Sequence, residues 1–148
     1  MALSLNRYGL ERARLTLDAI ARDRNDLTLQ SVIDDILSAS EEDSIIPVDV
    51  STTLLSDYRP LINVLNHYEL LASGVLSGAY DEGIYRADKQ REAIRVWYKV
   101  ESFIMALRME AESPSLFQKY EYLVQRWKEA GAPEVADFVM VHHHARRK

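Results

Sequence analysis

The chain of 148 residues is 47% hydrophobic and 28% charged, with no Cys, five Gly and four Pro. That composition suits one domain with a real core, excludes wholesale disorder and a turn-rich β protein, and removes disulfides, thiol nucleophiles and cysteine-ligated metal centres. The formal net charge of −5 is concentrated in residues 18–57, where ten Asp or Glu face only Arg22 and Arg24. Such acidity argues against general nucleic-acid binding, which gains its affinity from neutralised phosphates.

Apolar residues recur at steps of three and four, the helical period, along most of the chain. The spacing predicts a first helix over residues 5–24 with Leu10, Ala13, Leu17, Ile20 and Ala21 on its buried face. A second helix runs from Leu27 to Ala39 behind the capping residue Asp26 and buries Leu29, Val32, Ile33 and Ile36. Residues 40–56, with Pro47 and a Ser-rich, β-branched composition, read as an irregular connection. A third helix starts near Asp57, which places Pro60 in the first turn where its missing N–H costs nothing. It presents Leu61, Leu65, Tyr68, Ala72 and Val75, and ends at Gly78.

Asp81 caps a short segment containing Ile84 and Tyr85, and a fourth helix follows over residues 88–111. Its two stripes, Ala93, Val96, Val100, Phe103 and Leu107 beside Ile94, Trp97, Tyr98, Ile104 and Met105, place it at the centre of a bundle. Ser113-Pro114 reads as the start of a fifth helix carrying Leu116, Tyr120, Leu123 and Trp127, with Phe117 and Val124 alongside and Gly131 at its end. Pro133 opens a last helix with Val135, Phe138, Val139 and Val141. The expected fold is all-α, a compact bundle of about five to six helices with mostly antiparallel neighbours. It forms a single helical domain over 1–148: a helical pair (1–39), the connection (40–56), core helices (57–130), and a C-terminal helix with a basic tail (131–148).

Few residues offer chemistry. His142, His143 and His144 are consecutive, so on a helix they point about 100° apart and cannot share one tetrahedral metal. They read as part of a basic terminus that offsets a helix dipole. His67 and Glu69 lie two apart on different faces and do not form a preset acid–base pair; His67 falls with Asn63 and Ser73 on the polar side. Glu69, Glu101 and Arg108 lie on or beside apolar stripes, where an unpaired charge costs several kcal/mol. The reading is a partly buried network in which Arg108 meets Glu69, Glu101 or both. Its catalytic version pairs Glu69 with Glu101; its structural version fixes helix register, the commoner role of such networks. No phosphate loop, Walker lysine or Gly-x-Ser-x-Gly elbow is present. No catalytic, cofactor or metal residue is assigned, and Tyr85 and Tyr122 are expected to face outward as anchors for a partner.

The stretch Leu65-Asn66-His67-Tyr68-Glu69-Leu70-Leu71-Ala72, then Gly78-Ala79-Tyr80-Asp81-Glu82, Trp97, Phe103-Ile104, Arg108, Tyr120-Glu121, Leu123 and Trp127 resembles a bacterial and prophage family, domain of unknown function 4760. The resemblance spans roughly residues 60–128, and Arg12-x-Arg14-x-Thr16-Leu17-Asp18 extends it towards the N-terminus. It implies no catalytic residue and supports Asn66, Glu69, Asp81, Arg108 and Glu121 as a polar framework joining helices. Its prophage setting implies a small protein that binds or inhibits a bacterial host or defence protein.

The resulting expectation is a cytoplasmic, non-catalytic protein-interaction module without cofactor, membrane span or nucleic-acid partner, and with homo-oligomerisation open. Its interaction surface comprises Asp34, Asp35, Glu41, Glu42, Asp43, Tyr85 and Tyr122, and its polar network Asn66, Glu69, Glu101 and Arg108. Two alternatives stand beside it: a small carboxylate-dependent hydrolase or nucleotide-processing enzyme, and an acidic DNA mimic or nucleic-acid-associated accessory protein.

Overall fold

The computed structural model describes residues 2–39 and 58–131. Five helices occupy them: α1 (Ala2–Asn25), α2 (Leu27–Ser38), α3 (Arg59–Leu76), α4 (Glu82–Glu110) and α5 (Gln118–Ala130). Among the described residues there is no strand, and no helix is long and apolar enough to cross a membrane. The expected connection and the expected last helix lie outside the described residues, as do Asp57, Glu41, Glu42, Asp43 and the three C-terminal histidines.

α1 and α2 are separated by one residue, Asp26, whose carboxylate accepts the Leu29 N–H at 3.0 Å and so starts α2 as the sequence predicts. The buried face of α1 differs from the expected one. Thr16, Ala19 and Ile20 are buried, whereas Leu10 and Leu17 are 73% and 51% exposed. Two stripes of similar spacing cross this helix, and a polar link chooses between them. The Thr16 hydroxyl donates to the Arg12 carbonyl at 2.7 Å and accepts the Asp81 N–H at 2.8 Å, which turns that face towards the start of α4.

In α3 all five expected core residues, Leu61, Leu65, Tyr68, Ala72 and Val75, are buried. Its N-cap is Tyr58 rather than Asp57, and Tyr58 makes no capping bond; its ring packs on Phe103 at 5.2 Å. Beyond the helix Gly78 adopts φ +79°, a conformation that side-chain-bearing residues resist. The returning chain lays Tyr80 against Gly74, where an added Cβ would come within 2.2 Å of the ring.

Asp81 caps α4 by accepting the Ile84 N–H at 3.0 Å, and the helix then continues unbroken to Glu110. The expected separation before residue 88 does not occur, because Ile84 to Asp88 contain no Gly or Pro to end the first turns. The stripe Ala93, Val96, Val100, Phe103 and Leu107 is buried, as are Trp97 and Ile104. Tyr98 and Met105 are exposed, which narrows the second stripe.

α5 starts at Gln118, four residues later than Pro114 suggests. Phe117 precedes it at φ +57° with its ring buried, and has no side-chain oxygen to cap the helix. Other helices supply the caps. Glu69 of α3 accepts the Tyr120 N–H at 2.9 Å and the Lys119 N–H at 3.4 Å. At the far end Gln90 and Arg86 of α4 donate to the Trp127 carbonyl at 2.9 Å and the Ala130 carbonyl at 3.3 Å. Both the charge and the hydrogen bonds suit the helix dipole.

Contacts fix the helix directions. Glu82 meets Trp127 and Arg126 while Arg108 meets Glu121, so α4 and α5 are antiparallel. Tyr58 meets Phe103 and Tyr68 meets Glu92, so α3 and α4 are antiparallel. α1 and α2 follow α4 in its own direction, with Thr16 at Asp81, Arg24 at Asp88 and the Ala39 carbonyl at Lys99.

Candidate functional site

The end of α1 and the middle of α3 bring Asp23 and His67 together, with 3.7 Å between Oδ2 and Nε2. Asp23 continues the buried stripe of α1. His67 lies three residues after Val64 and four before Leu71, both buried, so its face turns inward. The expectation of an exposed His67 is corrected: its side chain is 17% exposed. The Val64, His67, Leu71 spacing was the signal available in the sequence, and the neighbouring Asn63 and Ser73 obscured it.

α4 completes the cluster. Buried Lys89 places its Nζ 3.8 Å from Asp88 and 3.7 Å from Glu92. Glu92 also accepts the Tyr68 hydroxyl at 2.6 Å, and Arg24 pairs with Asp88. Asp23 Oδ2 is buried and has no hydrogen-bond partner among the described residues. Burial pushes the Asp23 carboxyl up from its ordinary range, opposed by His67 and Lys89. Burial likewise pulls His67 down, opposed by Asp23, which favours the neutral imidazole. Beneath the cluster Tyr68 stacks on Tyr120 at 4.8 Å, and Trp97 meets Tyr120 edge-on at 5.2 Å. Desolvation raises both tyrosine hydroxyls, whose protons serve Glu92 and the Ala93 carbonyl.

Two cavities share this pair. The larger, about 690 Å³, is a groove between α2 and α3 walled by Leu29, Val32, Pro60 and Val64, with Arg59, Asn63 and Asn66 also lining it. The smaller, about 250 Å³, lies against Leu70, Leu71, Tyr80 and Tyr85. Asp23, Asp26 and His67 line both.

The residues singled out from the sequence are distributed differently. Arg108 donates to the Leu116 carbonyl at 2.8 Å and pairs with Glu121 at 3.4 Å, rather than with Glu69 or Glu101. Glu69 is committed to the α5 backbone, and Glu101 is half-buried on α4 without an ion pair among the described residues. Asn66 is exposed and lines the groove instead of joining Arg108. Tyr85, expected to face outward, is 2% exposed and packs edge-on against Tyr80. Tyr122 is 55% exposed, and Asp34 and Asp35 are exposed on α2.

At 3.7 Å the Asp23–His67 contact is longer than a hydrogen bond, so the carboxylate acts on the imidazole through charge and does not align it for proton transfer. Among the described residues no three His, Asp or Glu side chains converge closely enough to hold a metal ion. What the arrangement offers is a mixed groove, apolar along its walls and negatively charged at one end.

Fold and groove together define a small helical-bundle domain with an open cleft between α2 and α3. The chain belongs to the DUF4760 family, a domain of unknown function, whose model matches residues 1–127. That match takes in α1 and α2 as well as the core helices, so Asp23 and His67 both lie within the family region. No curated protein and no solved structure matches the chain.

Proposed function

We propose that the protein is a non-catalytic protein-interaction module that receives a partner segment in the groove between α2 and α3. The observation that carries this reading is the groove itself: about 690 Å³, open between two helices, with Leu29, Val32 and Val64 beside the amides of Asn63 and Asn66. Apolar walls supply burial and the amides can bond a backbone, the combination by which helix grooves hold peptides. The commitment of Glu69 to the α5 N-terminus supports this reading over a carboxylate hydrolase, because it removes one member of the supposed pair. The bacterial or prophage setting, and a host or defence protein as the target, are carried by the family resemblance alone.

The test is a photo-cross-linker at exposed Asn63, followed by identification of the adduct in a bacterial lysate. Capture of one protein stoichiometrically, and its loss when Asn66→Trp fills the groove, is the expected result. Undiminished capture by the filled variant would move the interface elsewhere, and turnover of a small molecule by the purified protein would end the reading.

A further inference from the structure

The outward face of α1 carries charges in an order that complements itself when reversed. Arg7, Glu11, Arg14 and Asp18 follow one another at steps of four, three and four, so they share one row of the helix, and all are exposed. That row lies on the side of α1 away from Thr16, whose hydroxyl turns towards the start of α4. From Arg7 to Leu15 no residue of α1 is buried. Among the described residues none of these charges has an ion-pair partner, either along α1 or on another helix. A charge row left to solvent ordinarily lies within a broad polar face. Here exposed Leu10 and Leu17 run along one side of the row, and exposed Tyr8 and Leu15 along the other. Helices owe most of their stability to packing, and large apolar side chains on both flanks mark this row for cover by another surface.

We infer that residues 7–18 of α1 pair antiparallel with the same segment of a second copy, forming a two-fold homodimer. The charges alternate plus, minus, plus, minus, and their spacing reads the same in both directions. Against an antiparallel copy, Arg7 therefore faces Asp18 and Glu11 faces Arg14, and the two-fold repeats both pairs. The same alignment sets Leu10 of each copy against Leu17 of the other on one flank, and Tyr8 against Leu15 on the opposite flank. The flanks supply apolar burial and shelter the ion pairs from water, while the ion pairs fix orientation and register. A parallel pairing in register would set Arg7 on Arg7 and Glu11 on Glu11, and like charges reject it. The complement to this charge order is the order itself, which is why a second copy fits the surface. The segment is short, so association belongs in the micromolar range rather than among obligate dimers. None of these residues lines the α2–α3 groove, so this surface is separate from the one assigned to a partner segment.

Sedimentation velocity of the full chain over about 1–500 μM measures the association. The expected result is a shift from monomer to dimer with concentration, weakened as salt rises from about 0.05 to 0.5 M. Glu11→Arg sets an arginine against Arg14 at both symmetric contacts and should raise the dissociation constant at least roughly tenfold. Adding Arg14→Glu to that variant restores opposite charges and should return the constant to within about threefold of the original. Both substituted side chains are exposed, and an unchanged far-ultraviolet dichroism spectrum verifies the fold. A monomer throughout the range would overturn the inference, and that series uses the unaltered chain, so it decides whatever the variants do. A dimer indifferent to Glu11→Arg would move the contact to another surface. Association lost in Glu11→Arg and not recovered in the double variant would overturn the antiparallel register.

Discussion

A histidine whose proton is disfavoured by burial makes folding sensitive to pH with a defined sign. The His67 pKa is lowered in the folded chain relative to its ordinary value of 6.5, so the unfolded chain takes up the proton first as pH falls. The stability is therefore present above about 6.5 and lost on acidification through that value towards the folded pKa. Asp23 has the opposite sign. Its raised pKa lets the folded chain bind a proton before the unfolded one does, which returns stability as pH falls through that folded value. Urea denaturation between about pH 7.5 and 5.5 should show a decline that is shallower in His67→Gln. Identical slopes for the two proteins would remove His67 from the account. None of this was legible residue by residue: Asp23 and His67 lie on different helices, and only their packing makes them neighbours.

At the scale of elements, α5 is held by side chains it does not own. Glu69 stands on α3, Gln90 and Arg86 on α4, and between them they satisfy the two ends of a 13-residue helix. Glu69→Ala should destabilise the protein by about 1–2 kcal/mol, the cost of losing a cap and a favourable carboxylate at a helix start. Thermal unfolding monitored by circular dichroism measures it, and an unchanged midpoint would mean that water replaces the cap without loss. The central position of α4 makes a larger demand. Trp97 is 4% exposed against Tyr120, so Trp97→Ala should cost about 3–5 kcal/mol. A loss below about 1 kcal/mol would show that the core tolerates the cavity. The apolar stripe of α4 was readable from its spacing. The late start of α5 was not, because Ser113-Pro114 has the local chemistry of a helix start and the competing cap comes from α3.

For the whole molecule, α1 is tied to the core by Thr16 at Asp81, Arg24 at Asp88 and Asp23 at His67, and the end of α2 by Lys99 at the Ala39 carbonyl. These links lie between Thr16 and Ala39 and reach both α3 and α4, so the helices should unfold together. Tryptophan fluorescence, which reports α4 and α5 through Trp97 and Trp127, should give the same denaturation midpoint as far-ultraviolet circular dichroism, which reports every helix. A separate, earlier transition in the dichroism would place α1 and α2 outside the cooperative unit. Taken alone, the order of residues determined the all-α class, the Asp26 and Asp81 caps, the stop at Gly78 and the core stripes of α3 and α4. Each of these depends on groups within a few positions of one another, where helix geometry converts spacing directly into direction. Which face of α1 is buried, what caps α5, whom Arg108 meets, and the Asp23–His67 contact beside the groove were decided only by tertiary packing. Those outcomes depend on which helices become neighbours, and a local pattern carries no record of the atoms that arrive from elsewhere in the chain.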